Sequence, residues 1–259
     1  PILSYSRLYN LQLVATTTTA YPDTGDPGAV TCDGVLYRNN SESWANIVAG
    51  AGTGVLSITA ATGEIVRIDT DTSTTWNVLT RSHFGFDTAA IPDTETIDSA
   101  TCSFFGVSKT NPGAWADSDF GVSLVLHTPA ASTTLVAGDY NTATYGTTKF
   151  ASDISYTNFS TSAYNDMAMN ASGLTAISKT GVTNLGCRAP ADVAASLTHT
   201  TNTGQSNMFC IFADTALTTT DPKLVVISSI PSTTVSTPTF KTPGTGGLGA
   251  GSAGGSHGF

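Results

Sequence analysis

Apolar and polar residues alternate with period two over most of this chain, which predicts short β-strands rather than helices. The clearest stretch is Ser82–Val107. Phe84 and Phe86 alternate there with His83 and Gly85, the pattern of a half-buried strand. Ala100–Val107 resumes the alternation with Cys102 and Phe104 on one face. Between them, Asp87–Ser99 supplies turn chemistry: Ile91-Pro92-Asp93 sets a fixed φ, and Asp98-Ser99 offers side chains that bond local backbone. The two strands are expected at the centre of an all-β, jelly-roll-type antiparallel sandwich.

Taken in order, the chain predicts a strand over Leu8–Ala15, followed by a threonine run and the turn-forming YPDTGDPG. Next come a strand at GVLYR, a loop over Asn39–Ser43 and a second strand over Trp44–Val48. AGAGTG is a Gly-rich turn; with neither a Lys-Ser/Thr nor a helix after it, it lacks the makings of a phosphate loop. Gly63–Asp69, Trp76–Phe86 and Phe120–His127 read as strands, the last with Val122, Leu124 and Leu126 on one side. Lys109–Asp119 and Ser132–Thr148 read as loops, and Phe159–Asn170 as carrying one short strand. Ser172–Leu185 is the one helical candidate, interrupted by Gly181, with a further turn expected at Asp192–Leu197. Asn207–Ala213 is apolar on both faces, as in an inner strand, and Lys223–Ser228 closes the sheet.

From Ile230 the character changes to spaced prolines in Thr and Ser, then GTGGLGAGSAGGSHGF. Such a tail cannot bury enough apolar area to offset its ordering entropy, so alone it is a linker or tip. Neighbouring copies would have to hold it if it is ordered. The expected divisions are residues 1–31 as N-terminal arm or first strand, 32–229 as the sandwich, and 230–259 as the tail. Leu11, Leu13, Phe240, Leu248 and Phe259 are the candidates for contacts between copies.

Only 11% of the 259 residues are charged, and the net charge of −9 argues against a nucleic-acid partner, which needs clustered Lys and Arg. No apolar run approaches the ~20 residues that span a membrane. Pro1-Ile2-Leu3 has the look of a start left by initiator-Met trimming, hence synthesis in the cytosol without a signal peptide; the other reading is a mature exported chain. The four cysteines, Cys32, Cys102, Cys187 and Cys210, are too widely spaced for a CxxC zinc site; a disulfide stays open.

Candidate chemistry is sparse. His83, His127, His199 and His257 sit in no GxSxG elbow and no HExxH pair, so catalytic residues, metal ligands and cofactors are expected to be none. Sugar binding would use exposed aromatics with polar neighbours. Trp115 with Asp117 and Asp119 is the first candidate, and Tyr140 and Tyr145 the next, against the reading that these rings pin loops to the sandwich; Trp44 and Trp76 are expected in the core. Asp69-x-Asp71 and Asp117-x-Asp119 are carboxylate pairs of a calcium-binding type, with solvated loop carboxylates as the simpler explanation. Sequons stand at Asn39, Asn158 and Asn170 and matter only on an exported chain.

The run RSHFGFDTAAIPDTETIDSATCSFFG resembles the central motif of disaggregatase-related (DNRLRE-type) β-sandwich domains: aromatic-x-Phe-Asp-Thr/Ser, an Ile/Leu-Pro turn, then an Ile-x-Ser-Ala-Thr-type strand. The likeness extends to DGVLYRNNSESWANIVAGAG, to FASDISYTNFSTSAYNDMAMNASGLTAISKTGVTNLG and to DPKLVV, from about Asp33 to Ile227. Cys102 and Phe104-Phe105 replace the aliphatic and aromatic core residues usual there. The resemblance implies the sandwich fold, and either a structural part of a viral or cell-surface assembly or a carbohydrate-binding module; it transfers no catalytic residue. The expectation is a non-enzymatic, many-copy protein of a bacteriophage virion, as head decoration, fibre or tail component, with its own copies and other particle proteins as partners. A glycan-binding module, secreted or on a cell surface, is the alternative.

Overall fold

The structure is a computed structural model that describes residues 15–22, 31–56, 61–72, 74–197, 204–213 and 219–231. Their strands are β1 (Ala15–Ala20), β2 (Asp33–Glu42), β3 (Gly54–Leu56), β4 (Thr62–Thr70), β5 (Trp76–Asp87) and β6 (Thr96–Thr110), then β7 (Gly121–Leu126), β8 (Ile154–Ser155), β9 (Tyr164–Ala168), β10 (Val182–Arg188), β11 (Gly204–Ile211) and β12 (Lys223–Ser229). Three short helices accompany them: α1 (Trp44–Ala49), α2 (Ala171–Ala176) and α3 (Pro190–Ala194). All the pairings are antiparallel. The fold is an antiparallel β-sandwich of jelly-roll-like form.

The main path of the sheet runs β1-β12-β6-β11-β4-β5-β10-β7-β8, and it curls because two long strands each change partners along their length. One edge of β6 takes β12 over residues 96–103 and β11 beyond Gly106, while β9 lies on the other edge. One edge of β5 takes β4 over 76–79 and β10 over 82–87, with β2 opposite. Register shifts at Met208/Phe209, Phe209/Cys210 and Ile227/Ser228 add the local twist that such turning needs. The strands β5 and β6, adjacent in sequence, are therefore not paired. They face each other across the core, where the Phe84 and Phe104 ring centroids are 4.6 Å apart and Phe212 closes edge-on at 5.3 Å. Burying a phenylalanine is worth roughly 1.5–3 kcal/mol, so this trio is a principal clamp between the layers.

Several elements differ from the sequence reading. Trp44–Val48 is helical: Ser43 caps it, its Oγ accepting from Asn46 N, and Trp44, Ile47 and Val48 turn one stripe inward. That stripe meets the start of β5, where Trp44 and Trp76 pack edge to face at 5.6 Å. The Asn39–Ser43 loop is largely strand, since β2 continues to Glu42. The helical segment read over Ser172–Leu185 stops at Ala176, and Val182–Leu185 begins β10. The further turn expected at Asp192–Leu197 is met by α3, which starts earlier at Pro190 and ends at Ala194, while α1 was not expected. The threonine run after Ala15 is itself strand β1, paired with β12. The 8–14 part of the first expected strand, and the tail beyond 231, lie outside the described residues.

The strand β5 also departs from expectation: it is buried on both faces and not half-buried. Phe84 and Phe86 enter the sandwich core. On the opposite side Arg81 and His83 are fully covered by the segment 127–146 and by α1 and α3. In β7, Val122 and Leu124 are buried, whereas Leu126 is exposed.

Candidate functional site

The polar atoms buried beneath that covering segment form one connected network. Arg81 grips Asp192 with two bonds, Nε to Oδ2 at 2.8 Å and Nη2 to Oδ1 at 2.6 Å. Arg188 grips the same carboxylate from the other side, Nε to Oδ2 at 2.8 Å and Nη2 to Oδ1 at 2.9 Å. Remaining guanidinium protons go to the carbonyls of Tyr140, Val48, Gly146 and Asp192. The Tyr140 ring lies over the Arg81 guanidinium at 4.1 Å, and its hydroxyl donates to Ile47 O at 2.9 Å. Burial alone would raise the Asp192 carboxyl; the two arginines, Arg81 first, hold it down at about 2. Two guanidinium groups sharing one carboxylate and hydrogen-bonded to four carbonyls bind α1, α3 and the 140–146 segment to β5 and β10, a structural role.

Next to it, Tyr145 donates its hydroxyl to Ser82 O at 3.0 Å and stacks on His127 at 3.8 Å. A side chain at Gly186 would run into the Tyr145 ring, its Cβ 2.4 Å from a ring carbon. Four of the nominated sugar-binding residues are thus buried and not presented to solvent: Tyr140 and Tyr145 here, Trp115 at 4% exposure, and Asp119 at 3%. Trp115 is held by the Asn111 side chain, which donates to its carbonyl and accepts from its amide, both at 3.0 Å. Its ring pins the 111–119 loop down. Asp117 alone is exposed, accepting from Thr157 N and Oγ1, both at 3.1 Å. Asp69 pairs with Arg67 and Asp71 accepts from Ser41, so that carboxylate pair turns to separate partners. All four cysteines are buried, and Cys102, Cys187 and Cys210 are free thiols in the core.

The surface that stands out lies at the other end of the sheet path. There β1 is the terminal strand, with β12 as its partner among the described residues. It carries Thr16, Thr17, Thr18 and Thr19 in succession, without charge or proline. Two rows of outward side chains cross this layer in register, Thr17–Ile227–Ser99 and Thr19–Val225–Thr101–Ala168. Thr17, Thr19, Ser99 and Ile227 are exposed, and Ile230 beyond β12 reaches 61% exposure. From beneath, Glu95 fastens the edge: its Oε1 accepts from Thr16 Oγ1 at 2.9 Å and its Oε2 from Ser228 Oγ at 2.6 Å. Lys179 secures that turn by donating to Asp93 O and Glu95 O. Sequence reasoning placed assembly contacts at Leu11, Leu13, Phe240, Leu248 and Phe259, all outside the described residues; the threonine edge was legible as a run but was not read as a strand.

No protein-family model matches the chain, and no curated protein matches it.

Proposed function

We propose that this chain is a non-enzymatic building block of a many-copy assembly, of the kind found in a bacteriophage particle or on a cell surface, and that it associates through the β1 edge. The carrying observation is the composition of that edge. Monomeric sheet proteins guard terminal strands with lysine, proline or bulges. Here the terminal strand among the described residues is ATTTTA, and the rows beside it bear small, β-branched, uncharged side chains. A chain of net charge −9 repels its copies over most of its surface, so an uncharged edge is where copies can meet. The resemblance of the Ser82–Val107 motif to disaggregatase-related sandwich domains, some of them parts of viral and surface structures, supports the same reading.

Sedimentation of the purified chain across a wide concentration range tests this. The expected result is concentration-dependent association that Thr17→Lys with Thr19→Lys abolishes while the melting temperature holds. A chain that stays monomeric at the highest concentration, and that occurs in no particle or filament, overturns the proposal.

A further inference from the structure

One edge of β6 is covered by β9 only in part. The strand β9 pairs with Thr101–Phe105, and Met169 keeps one further bond, its amide donating to Ala100 O at 2.9 Å. The Asn170 amide then turns to Phe150 O, and α2 begins at Ala171. On that edge Thr96–Ser99 has no strand partner among the described residues, while β12 holds the opposite edge. Between this stretch and α2 lies an open groove of about 330 Å3. Ile97, Leu174 and Ile177 give it an apolar floor, and Thr96 and Thr175 stand exposed on its rim. Its two charged side chains are engaged within the protein: the Glu95 carboxylate accepts from Thr16 and Ser228, and Lys179 Nζ donates to Asp93 O at 2.7 Å and Glu95 O at 2.8 Å. An unpaired strand edge beside a helix, over an apolar floor, is where an extended peptide adds as a further strand with alternate side chains turned down.

We propose that this groove takes residues 8–14 of a second copy, LYNLQLV, as an added strand; the inference rests on the reading that copies associate, and names a second contact between them. Tyr9, Leu11 and Leu13 share one face of such a strand and Asn10 and Gln12 the other, so two leucines meet Ile97, Leu174 and Ile177. The segment carries no charge, as suits a groove whose own charges are engaged. The tail fits worse: Pro238 and Pro243 interrupt it, and proline cannot donate to a ladder. The place where β1 begins favours a second copy over the same chain. Ala15 is in register with Ser229 and Ser229 with Thr96, so the segment leaves on the far side of β12 from the groove. Reaching the groove from there means crossing three strand spacings, about 15 Å, which uses roughly four residues. Leu11–Val14 would be spent on that crossing, and the two leucines could not lie in the groove. Arm into groove is a head-to-tail contact, so it propagates through many copies where an edge pair by itself can close on two. Weak alone, it adds to the β1 edge once that edge has raised the local concentration of arms.

The test is an NMR titration of the full chain carrying Leu11→Asp and Leu13→Asp, which disables its own arm, with a synthetic peptide of residues 4–14. The peptide is expected to shift the Thr96, Ile97 and Thr175 amide signals saturably with Kd on the order of 1 mM. A peptide that itself carries Leu11→Asp and Leu13→Asp should bind at least tenfold more weakly. Thr175→Trp obstructs the groove from an exposed position and should weaken binding at least tenfold in a chain that melts as the parent does. Adding Thr17→Lys with Thr19→Lys should leave the titration unchanged, so failure of the groove and failure of the β1 edge are told apart. In the dilute parent chain the Thr96 and Ile97 signals should match those of the peptide-free variant. Absence of saturable shifts, shifts confined to Thr16–Thr19, loss of binding in the edge-lysine chain, or unchanged binding to the folded Thr175→Trp chain overturns the proposal. So does a dilute parent whose signals match the peptide-bound form, since its own chain then fills the groove.

Discussion

The Nδ1 atoms of His83 and His127 lie 2.8 Å apart, so one ring donates to the other in a fully buried pair. The direction follows from the far side of His127, whose Nε2 faces the Asp139 carbonyl at 3.0 Å and must carry the proton. His127 Nδ1 then accepts, His83 Nδ1 donates, and His83 Nε2 is a lone pair that has no hydrogen-bond partner. This pair is built for two neutral rings. A further proton has to enter a site packed against Tyr145 and near Arg81, where burial drives both rings toward the neutral form.

Acid should therefore destabilise the protein earlier than carboxylate titration alone would bring about. Burial takes His127 down from 6.5 to about 4, and His83 falls well below its ordinary value through burial and the neighbouring His127. With folded values depressed, the unfolded chain binds more protons below pH 6.5. Stability is fully present above that pH and declines as pH falls toward 4. For His127 the loss is on the order of 3 kcal/mol across that window. Thermal melts from pH 7 to 4 check this, and His127→Gln, which keeps a donor for the Asp139 carbonyl, should flatten the slope.

Asp192 sits between Arg81 and Arg188 with no exposure. Removing it leaves two guanidinium groups buried without their counter-ion. Asp192→Ala should cost about 3–5 kcal/mol, the range for breaking a buried ion pair. Replacing Arg81 alone should also destabilise the fold, but by less, since Arg188 and the carboxylate remain as a neutral pair and the loss falls on the Tyr140 and Val48 carbonyls, which lose their donor. The two losses should be far from additive in a double-mutant cycle read by denaturant unfolding.

Ala195 ends α3 in the left-handed region, at φ 51° and ψ 26°, with its amide bonded back to Ala191 O and Asp192 O. An L-residue with a Cβ bears a cost there that glycine does not. Ala195→Gly should accordingly raise stability by about 0.5–1 kcal/mol, after allowance for the freer unfolded chain. A melting temperature below that of the parent would count against this account.

Strand content was legible wherever a short apolar or alternating run is bounded by turn residues, as in β4, β11 and β12. It failed where the rule linking polarity to solvent fails. In β5 the polar positions Arg81 and His83 read as an outer face, yet a covering segment buries them, and alternation looks the same whether polar groups meet water or each other. The placement of Trp115, Tyr140 and Tyr145 was ambiguous for a related reason: a loop aromatic has the same local sequence whether it stands out or pins its loop down. Trp44–Val48 was misread because Trp, Ile and Val favour strands, although Trp44, Ile47 and Val48 keep the i, i+3, i+4 spacing and Ser43 offers a cap. The pairing of β5 with β10 and β2, and of β6 with β12 and β9, depends on contacts distant along the chain. No local pattern encodes them.

Glu95 decides whether the proposed assembly edge is a strand at all. Four consecutive threonines contribute little burial of their own, and of the side chains in β1 only Ala20 is buried. What fixes β1 beyond its ladder to β12 is the carboxylate of Glu95, which takes the Thr16 hydroxyl in one oxygen and the Ser228 hydroxyl in the other. Glu95→Ala should leave the sandwich folded, because no core side chain is removed, but it strips two hydrogen bonds to a charged acceptor, worth about 1.5–3 kcal/mol each. Hydrogen exchange should then accelerate at least tenfold in the Thr16–Ala20 amides, with the amides of β5 and β10 unaffected. Association measured by sedimentation should weaken in parallel, since a frayed edge cannot template a neighbour. Equal protection of β1 in the variant and the parent would show that the ladder alone suffices. Loss of protection throughout the chain would show that Glu95 supports the whole sandwich and not its edge.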